Sequence, residues 1–285
     1  MTSNLITITD APYNAVCDGV TDDSAAILHA VADLSIGGKL IIPGPTATSQ
    51  TIVIGKPVTI AGFGMGISSI GAIGDVEVLR FMGTCDNGGF RDLGIYGMPA
   101  LSATKNVVII ETNATVHLKD SRIWGGFSAM YDRGSDGIRE NLFLSGASAS
   151  GACVASNGQN WWVRCKFDKS AWPQQWAFLQ GVSPANVPSS ENTFTQCDFS
   201  GDYQFSVQVD DGGAQKANVV FDGGCVFSSP VLISNALWAA FDGCRFGSSI
   251  TAGINVPITV ANSLALSPTV VTGGIRHISN NHNIS

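Results

Sequence analysis

Three carboxylates, Asp92, Asp120 and Glu140, each take the third place of a six-residue pattern that recurs along the chain. The pattern is a large apolar residue, two variable positions, a small or apolar residue, one variable position and another apolar residue. Copies stand at 90–95 (FRDLGI), 118–123 (LKDSRI), 138–143 (IRENLF), 162–167 (WVRCKF), 194–199 (FTQCDF) and 241–246 (FDGCRF). Residues 221–227 (FDGGCVF) fit with one extra glycine, and 58–63 (VTIAGF) is a weaker early copy. If the copies stack, places one, four and six point inward and places two, three and five face solvent. The third column then reads Asp92, Asp120, Glu140, Arg164, Gln196, and the second reads Arg91, Lys119, Arg139, Val163, Thr195. Adjacent carboxylates would stand roughly 5 Å apart. Hydrolysis of a glycosidic bond needs two carboxyl groups, about 5 Å apart for retention or 6.5–9.5 Å for inversion. Asp120 and Glu140 are therefore the leading catalytic candidates, with Asp92 beside them and Arg164 at the end of the column to bind substrate. Asp198, at the fifth place of its copy, is a second-choice acid. The same column also reads as a surface ladder of alternating charge, worth little per pair.

An interruption at 168–191 carries Trp172 and Trp176, and Tyr203 follows. Aromatic side chains on a loop offer flat platforms for sugar rings, so these three are candidate substrate-binding residues. Packing of the loop, or a contact between chains, would use the same residue types. A lyase would instead need a base and a cation to hold a uronate carboxylate, for which Lys119, Arg164, Lys166 and Arg245 are available. No dense calcium motif is present, and no metal or cofactor is expected. Asp222-Gly223 and Asp242-Gly243 have the chemistry of corners. His29, His117, His277 and His282 are scattered and form no triad or metal spacing. Gly62-Phe63-Gly64-Met65-Gly66 is followed by no helix pattern, which excludes a phosphate cradle.

Copies that start roughly every 20 to 32 residues signal a solenoid. Strand-like alternation within each copy, with uneven spacing between copies, points to a parallel β-helix whose corners tolerate loops of different length. Cys165, Cys197, Cys225 and Cys244 share the fourth place and form an interior column of small apolar residues. Seven cysteines without metal spacing suggest free thiols. The net charge of −7 argues against a nucleic-acid partner. An acidic polysaccharide would require a local basic patch. No run is long and apolar enough to insert into a membrane, and residues 1–7 have neither the basic region nor the apolar core of a secretory signal.

Residues 18–27 (DGVTDDSAAI), then Gly37-Gly38, then an apolar strand stopping at Pro43, resemble the N-terminal signature of pectate-lyase-like β-helix proteins. These include phage tailspikes and polysaccharide depolymerases. The resemblance implies an all-β, right-handed parallel β-helix with a short helix near 22–35 covering its open end. It gives Asp18, Asp22 and Asp23 structural roles. Residues 1–45 would form the cap and 46–285 the coils of a single domain. Cys17 stands where the family has glycine, and Pro43-Gly44-Pro45-Thr46 replaces its Pro-Pro-Gly-x-Tyr turn. The resemblance also implies a polysaccharide partner, a homotrimer, and a place in a phage tail in preference to the cytoplasm. A non-catalytic stalk or receptor-binding component is the alternative from another class.

Overall fold

The computed structural model describes residues 3–99, 103–146, 152–168, 176–181, 190–201, 203–210, 217–269 and 271–284. Strands of successive coils pair in parallel, each laid on the coil before it, so the chain is a right-handed parallel β-helix. Every coil has three faces. The first and second share one continuous sheet because strands such as Val116–Trp124 and Ser135–Ser145 run unbroken across the corner between them. The third face is a separate sheet, from Ile52–Ile54 through Trp176–Gln180 to Val271–Thr272.

One residue per coil makes the first corner. Asp92, Asp120, Asn141, Arg164, Gln196, Gly223, Gly243, Asn262 and Asn280 all have φ between 48° and 64°. That left-handed conformation suits Gly, Asn and Asp, which explains most of the residue types in this column. Arg164 and Gln196 are less suited to it and cost about 1–2 kcal/mol each. Gly223 and Gly243 take the corner as their Asp-Gly sequences foretell.

Inside the coils, in-register pairing stacks like on like. Trp162, Phe194, Phe221 and Phe241 form one ladder, with ring centroids 5.7, 4.9 and 5.0 Å apart and planes within 18°. Phe167, Phe199, Phe227 and Phe246 form a second, at 4.5, 5.1 and 5.1 Å. The two ladders meet edge to face, an arrangement that adds to their hydrophobic gain. Cys165, Cys197, Cys225 and Cys244 are buried beside them as free thiols. Phe90 and Leu118 continue the first column towards the N-terminus.

The residue that follows Leu118 in that column differs from the sequence reading. Leu118 pairs with Arg139, not with Ile138. Ile138 and Phe143 are 44% and 43% exposed, while Arg139, Leu142 and Leu144 are buried. The copy is displaced by one residue, and in a strand that exchanges the two faces. Apolar pattern hid this because Arg139 is an interior residue of the wrong type. Its charge is matched by buried Asp132, whose Oδ2 accepts from Nε at 2.9 Å and lies 2.8 Å from Nη2. Asn160 Oδ1 accepts from Nη2 at 3.2 Å, the Val116 carbonyl accepts from Nη1, and the guanidinium lies 6.0 Å from the Trp162 ring. The early copy is displaced too: Ile60, not Val58, aligns with Phe90, and Phe63 is exposed.

The N-terminal helix runs from Ser24 to Asp33 and buries Ile27, Ala30 and Val31 against the first coils. Asp22 accepts from the Ser24 amide and from the Ser24 and Ser49 hydroxyls, which hold its carboxyl down at about 2. Asp23 accepts from the amides of Val16 and Cys17, and Asp18 from those of Val20 and Thr21. All three acids are consumed by local structure. Lys56 Nζ closes the helix C-terminus on the carbonyls of Ala32 and Leu34. Among the described residues no helix is long and apolar enough to cross a membrane.

Asp132→Ala strands a buried guanidinium and is expected to destabilise the fold by about 3–5 kcal/mol. Arg139→Met with Asp132→Asn should recover part of that loss. Urea unfolding midpoints measure both, and a single-variant loss below about 1 kcal/mol would contradict this account. Burial, with help from Asp23 and Asp18, pushes the half-buried Cys17 thiol up to about 11. Alkylation of the native protein should therefore be confined to Cys17 and accelerate as pH approaches 11, with the other six cysteines reacting on unfolding. Mass mapping of the modified positions reads this directly.

Candidate functional site

Two outward ridges run along the first face, parallel to the coil axis. One carries Arg91, Lys119, Glu140, Val163 and Thr195 in successive registers. The other carries Gly89, His117, Ile138, Trp161 and Thr193. Gly88 and Gly89 leave an open groove of about 360 Å³ between the ridges. Lys39, Arg91, Lys119, His117 and Asn87 line it, and among the described residues no acid does. A Cβ on Gly89 would run into the His117 carbonyl oxygen, so the floor requires glycine.

His117 is held on both ring nitrogens. Nδ1 accepts from the Ile138 amide at 3.3 Å, so Nε2 carries the proton and faces Asn87 Oδ1 at 3.3 Å. Burial, and then the Arg139 charge, push the imidazole below its ordinary value. Beyond it Ile138 and Trp161 present half-exposed apolar surface, Trp161 at 43%.

The displacement at Arg139 rearranges the acids. Glu140 leaves the third column and pairs in register with Lys119. Its Oε2 lies 3.0 Å from Lys119 Nζ and its Oε1 accepts from Arg164 Nη2 at 2.5 Å. Each oxygen of Glu140 thus holds one cation, so the carboxylate is engaged in ion pairs on both sides. Asn141 takes the vacated third place, donating to Asp120 Oδ1 at 2.7 Å and accepting from Arg164 Nε at 2.8 Å. Asp92 and Asp120 remain on neighbouring coils of the corner, with Arg91 3.9 Å from Asp92. The third column thus holds two acids, Asp92 and Asp120, and Glu140 stands on the neighbouring ridge.

Asp198 lies on the second face, in register with Lys166 on one side and Val226 on the other, and accepts from the Ser200 amide at 2.8 Å. No acid adjoins it in this ladder. Trp176 belongs to a strand of the third sheet, not to a loop, and donates to Gln208 at 2.5 Å. It stands on a different sheet from the Asp92–Asp120 corner. Tyr203 is a correction: it is 5% exposed and its hydroxyl donates to the Asp168 carbonyl at 2.6 Å, so it is a packing residue and offers no sugar platform. Trp172 lies outside the described residues.

The sequence reading passed over the exposed aromatic of the first face, Trp161. Its signal was present. Trp161 and Trp162 are consecutive in a strand, so an inward Trp162 obliges Trp161 to face outward. His117 stands to Leu118 in the same way.

No family model matches the sequence, and no curated protein matches it. Solved structures do. A protein of Geobacillus virus E2 (ORF18) is 15% identical over 99% of this chain and 60% of its own, with a TM-score of 0.57. The Dettilon tailspike protein is 15% identical over 99% and 68%, at 0.64. The enzymatically active domain of tailspike protein 2 from bacteriophage CBA120 is 9% identical over 97% and 43%, at 0.58. The chain thus spans 43% to 68% of the length of these structures. At such identities the likeness establishes the parallel β-helix fold.

The His117 ring should titrate below 6.5 in an NMR experiment. Because the folded value is the lower one, protonation as pH falls below about 6.5 opposes the folded arrangement of this ring. A midpoint at or above 6.5 would refute the tautomer and burial described.

Proposed function

We propose that the first face binds a polysaccharide and that the corner beside it cleaves glycosidic bonds, in the manner of a phage tailspike. The observation that carries the reading is the groove over Gly88 and Gly89, continued along the coil axis by Ile138 and Trp161. An open recess lined by cations and followed by a half-exposed indole suits a sugar chain, whose rings have an apolar face and a polar rim.

In this reading Asp92 and Asp120 are the carboxylate pair. Neighbouring coils bring their backbones about 5 Å apart, which suits the carboxyl separation of a retaining hydrolase. Asn141 orients Asp120, the nucleophile, and Asp92 delivers the proton to the leaving oxygen and later activates water. Glu140 orients Lys119 and Arg164, and Arg164 binds substrate at the edge of the corner. Trp161 takes the platform role assigned from sequence to Trp172 and Trp176. The chain acts as a homotrimer in a virion tail. Static light scattering should then give three times the monomer mass at micromolar concentration, and a monomer would count against it.

A non-catalytic receptor-binding component is the second reading. It is favoured by the corner itself, since Asp at φ near 50° needs no catalytic reason. One experiment separates the readings. Purified bacterial surface polysaccharides are incubated with the protein and assayed for new reducing ends and for unsaturated products absorbing in the ultraviolet. Hydrolysis yields the first without the second, a lyase yields both, and a binder yields neither. Asp92→Asn and Asp120→Asn should each lower turnover by about 10²-fold or more while sparing binding. Full activity in both variants would remove the corner from the mechanism.

A further inference from the structure

We propose that the groove selects an acidic sugar, seating a carboxylate between Lys39 and Arg91 while the glycan runs along the coil axis to Trp161. The inference rests on the polysaccharide reading above and deepens it. The chain carries a net charge of −7, yet the groove is lined by three cations and, among the described residues, no acid. Lys119 is committed to Glu140 at 3.0 Å. Lys39 has no ion pair or side-chain hydrogen bond among the described residues, and Arg91 touches Asp92 only at 3.9 Å. Two cations are therefore held at the rim of a recess with unspent hydrogen-bonding capacity. A neutral sugar would leave them as they are, whereas a carboxylate would gain charge-assisted hydrogen bonds from both.

The groups around them are complementary. With Nε2–H directed at Asn87 Oδ1, His117 leaves the Asn87 amide free to donate towards a sugar hydroxyl. The volume of about 360 Å³ lies at the small end of ligand sites. From Gly89 the ridge passes His117 and Ile138 to Trp161 in three coil steps, about 14 Å at the ladder spacing. A single ring cannot reach both ends, so the ligand is an oligosaccharide with its acidic residue at the glycine end and a stacked ring at the indole.

The test uses the full chain and a panel of bacterial surface polysaccharides of defined composition, each in native form and after chemical reduction of its carboxylates to alcohols. Binding is measured by biolayer interferometry at two salt concentrations. The tightest ligands should bear carboxylates, and reducing these should weaken binding by roughly tenfold or more. Lys39→Ala and Arg91→Ala should each weaken the native acidic chain roughly tenfold and flatten its salt dependence. Neither should change the reduced chain. Trp161→Ala should weaken native and reduced forms alike. Unchanged unfolding midpoints will show that these exposed substitutions leave the fold intact. A neutral or phosphate-only glycan as tightest ligand, equal binding of native and reduced chains, indifference to both cation variants, or no binding across the panel overturns the inference. If acidic chains bind selectively but no reducing ends form, cleavage fails and this inference stands. If neutral chains are cleaved and the cation variants keep full activity, the reverse holds.

Discussion

Parallel backbone pairing, one coil laid in register on the next, governs everything else in this molecule. The strand amides find their partners in a neighbouring coil, so a side chain's place is decided by the residue above and below it. This is why the interior consists of columns. In the later coils phenylalanine stacks on phenylalanine and thiol on thiol, because successive places of a column meet the same packing neighbours. The same pairing builds the exterior, where ridges of like position lie beside one another without any sequence-local relation between their members.

The corner between the first and second faces keeps the register. A single left-handed residue turns the chain without breaking the ladder, and the flanking strands continue on both sides. Polar side chains of the corner then bond from coil to coil, as from Arg164 to Asn141 to Asp120 and again from Asn262 to Asp242. The acids of the candidate site are members of this column first. Any chemistry they perform is built on a position that the backbone already favours for Asp.

Much of this was legible in the sequence, and the failure has an identifiable cause. Inward places one, four and six were assigned correctly for the copies at Phe90, Leu118, Trp162, Phe194 and Phe241, because each presents a small or apolar residue where the core needs one. The copy at Ile138 broke the rule. A strand with apolar residues on both faces offers two alignments, and the apolar pattern selects the wrong one when the true interior residue is an arginine. Asp132, which makes that arginine tolerable, sits seven residues earlier on another sheet and could not be paired with it from spacing. One displaced residue then moved Glu140 from the acid column to the cation ridge. Tyr203 failed for a different reason: a tyrosine in a connecting segment reads as exposed until a buried carbonyl is found to take its hydroxyl.

The ladder also graduates the outer surface. Any two positions of one ridge are separated by a whole number of coil steps, about 4.8 Å each, whatever side chains occupy them. The distance from the glycine floor to the indole is therefore a count, not a fitted length. A sequence with one more coil between Gly89 and Trp161 would carry the same groove and the same platform, set one division further apart. The molecule is in this sense a ruler, and reach could change by whole divisions while the chemistry at each mark stays as it was.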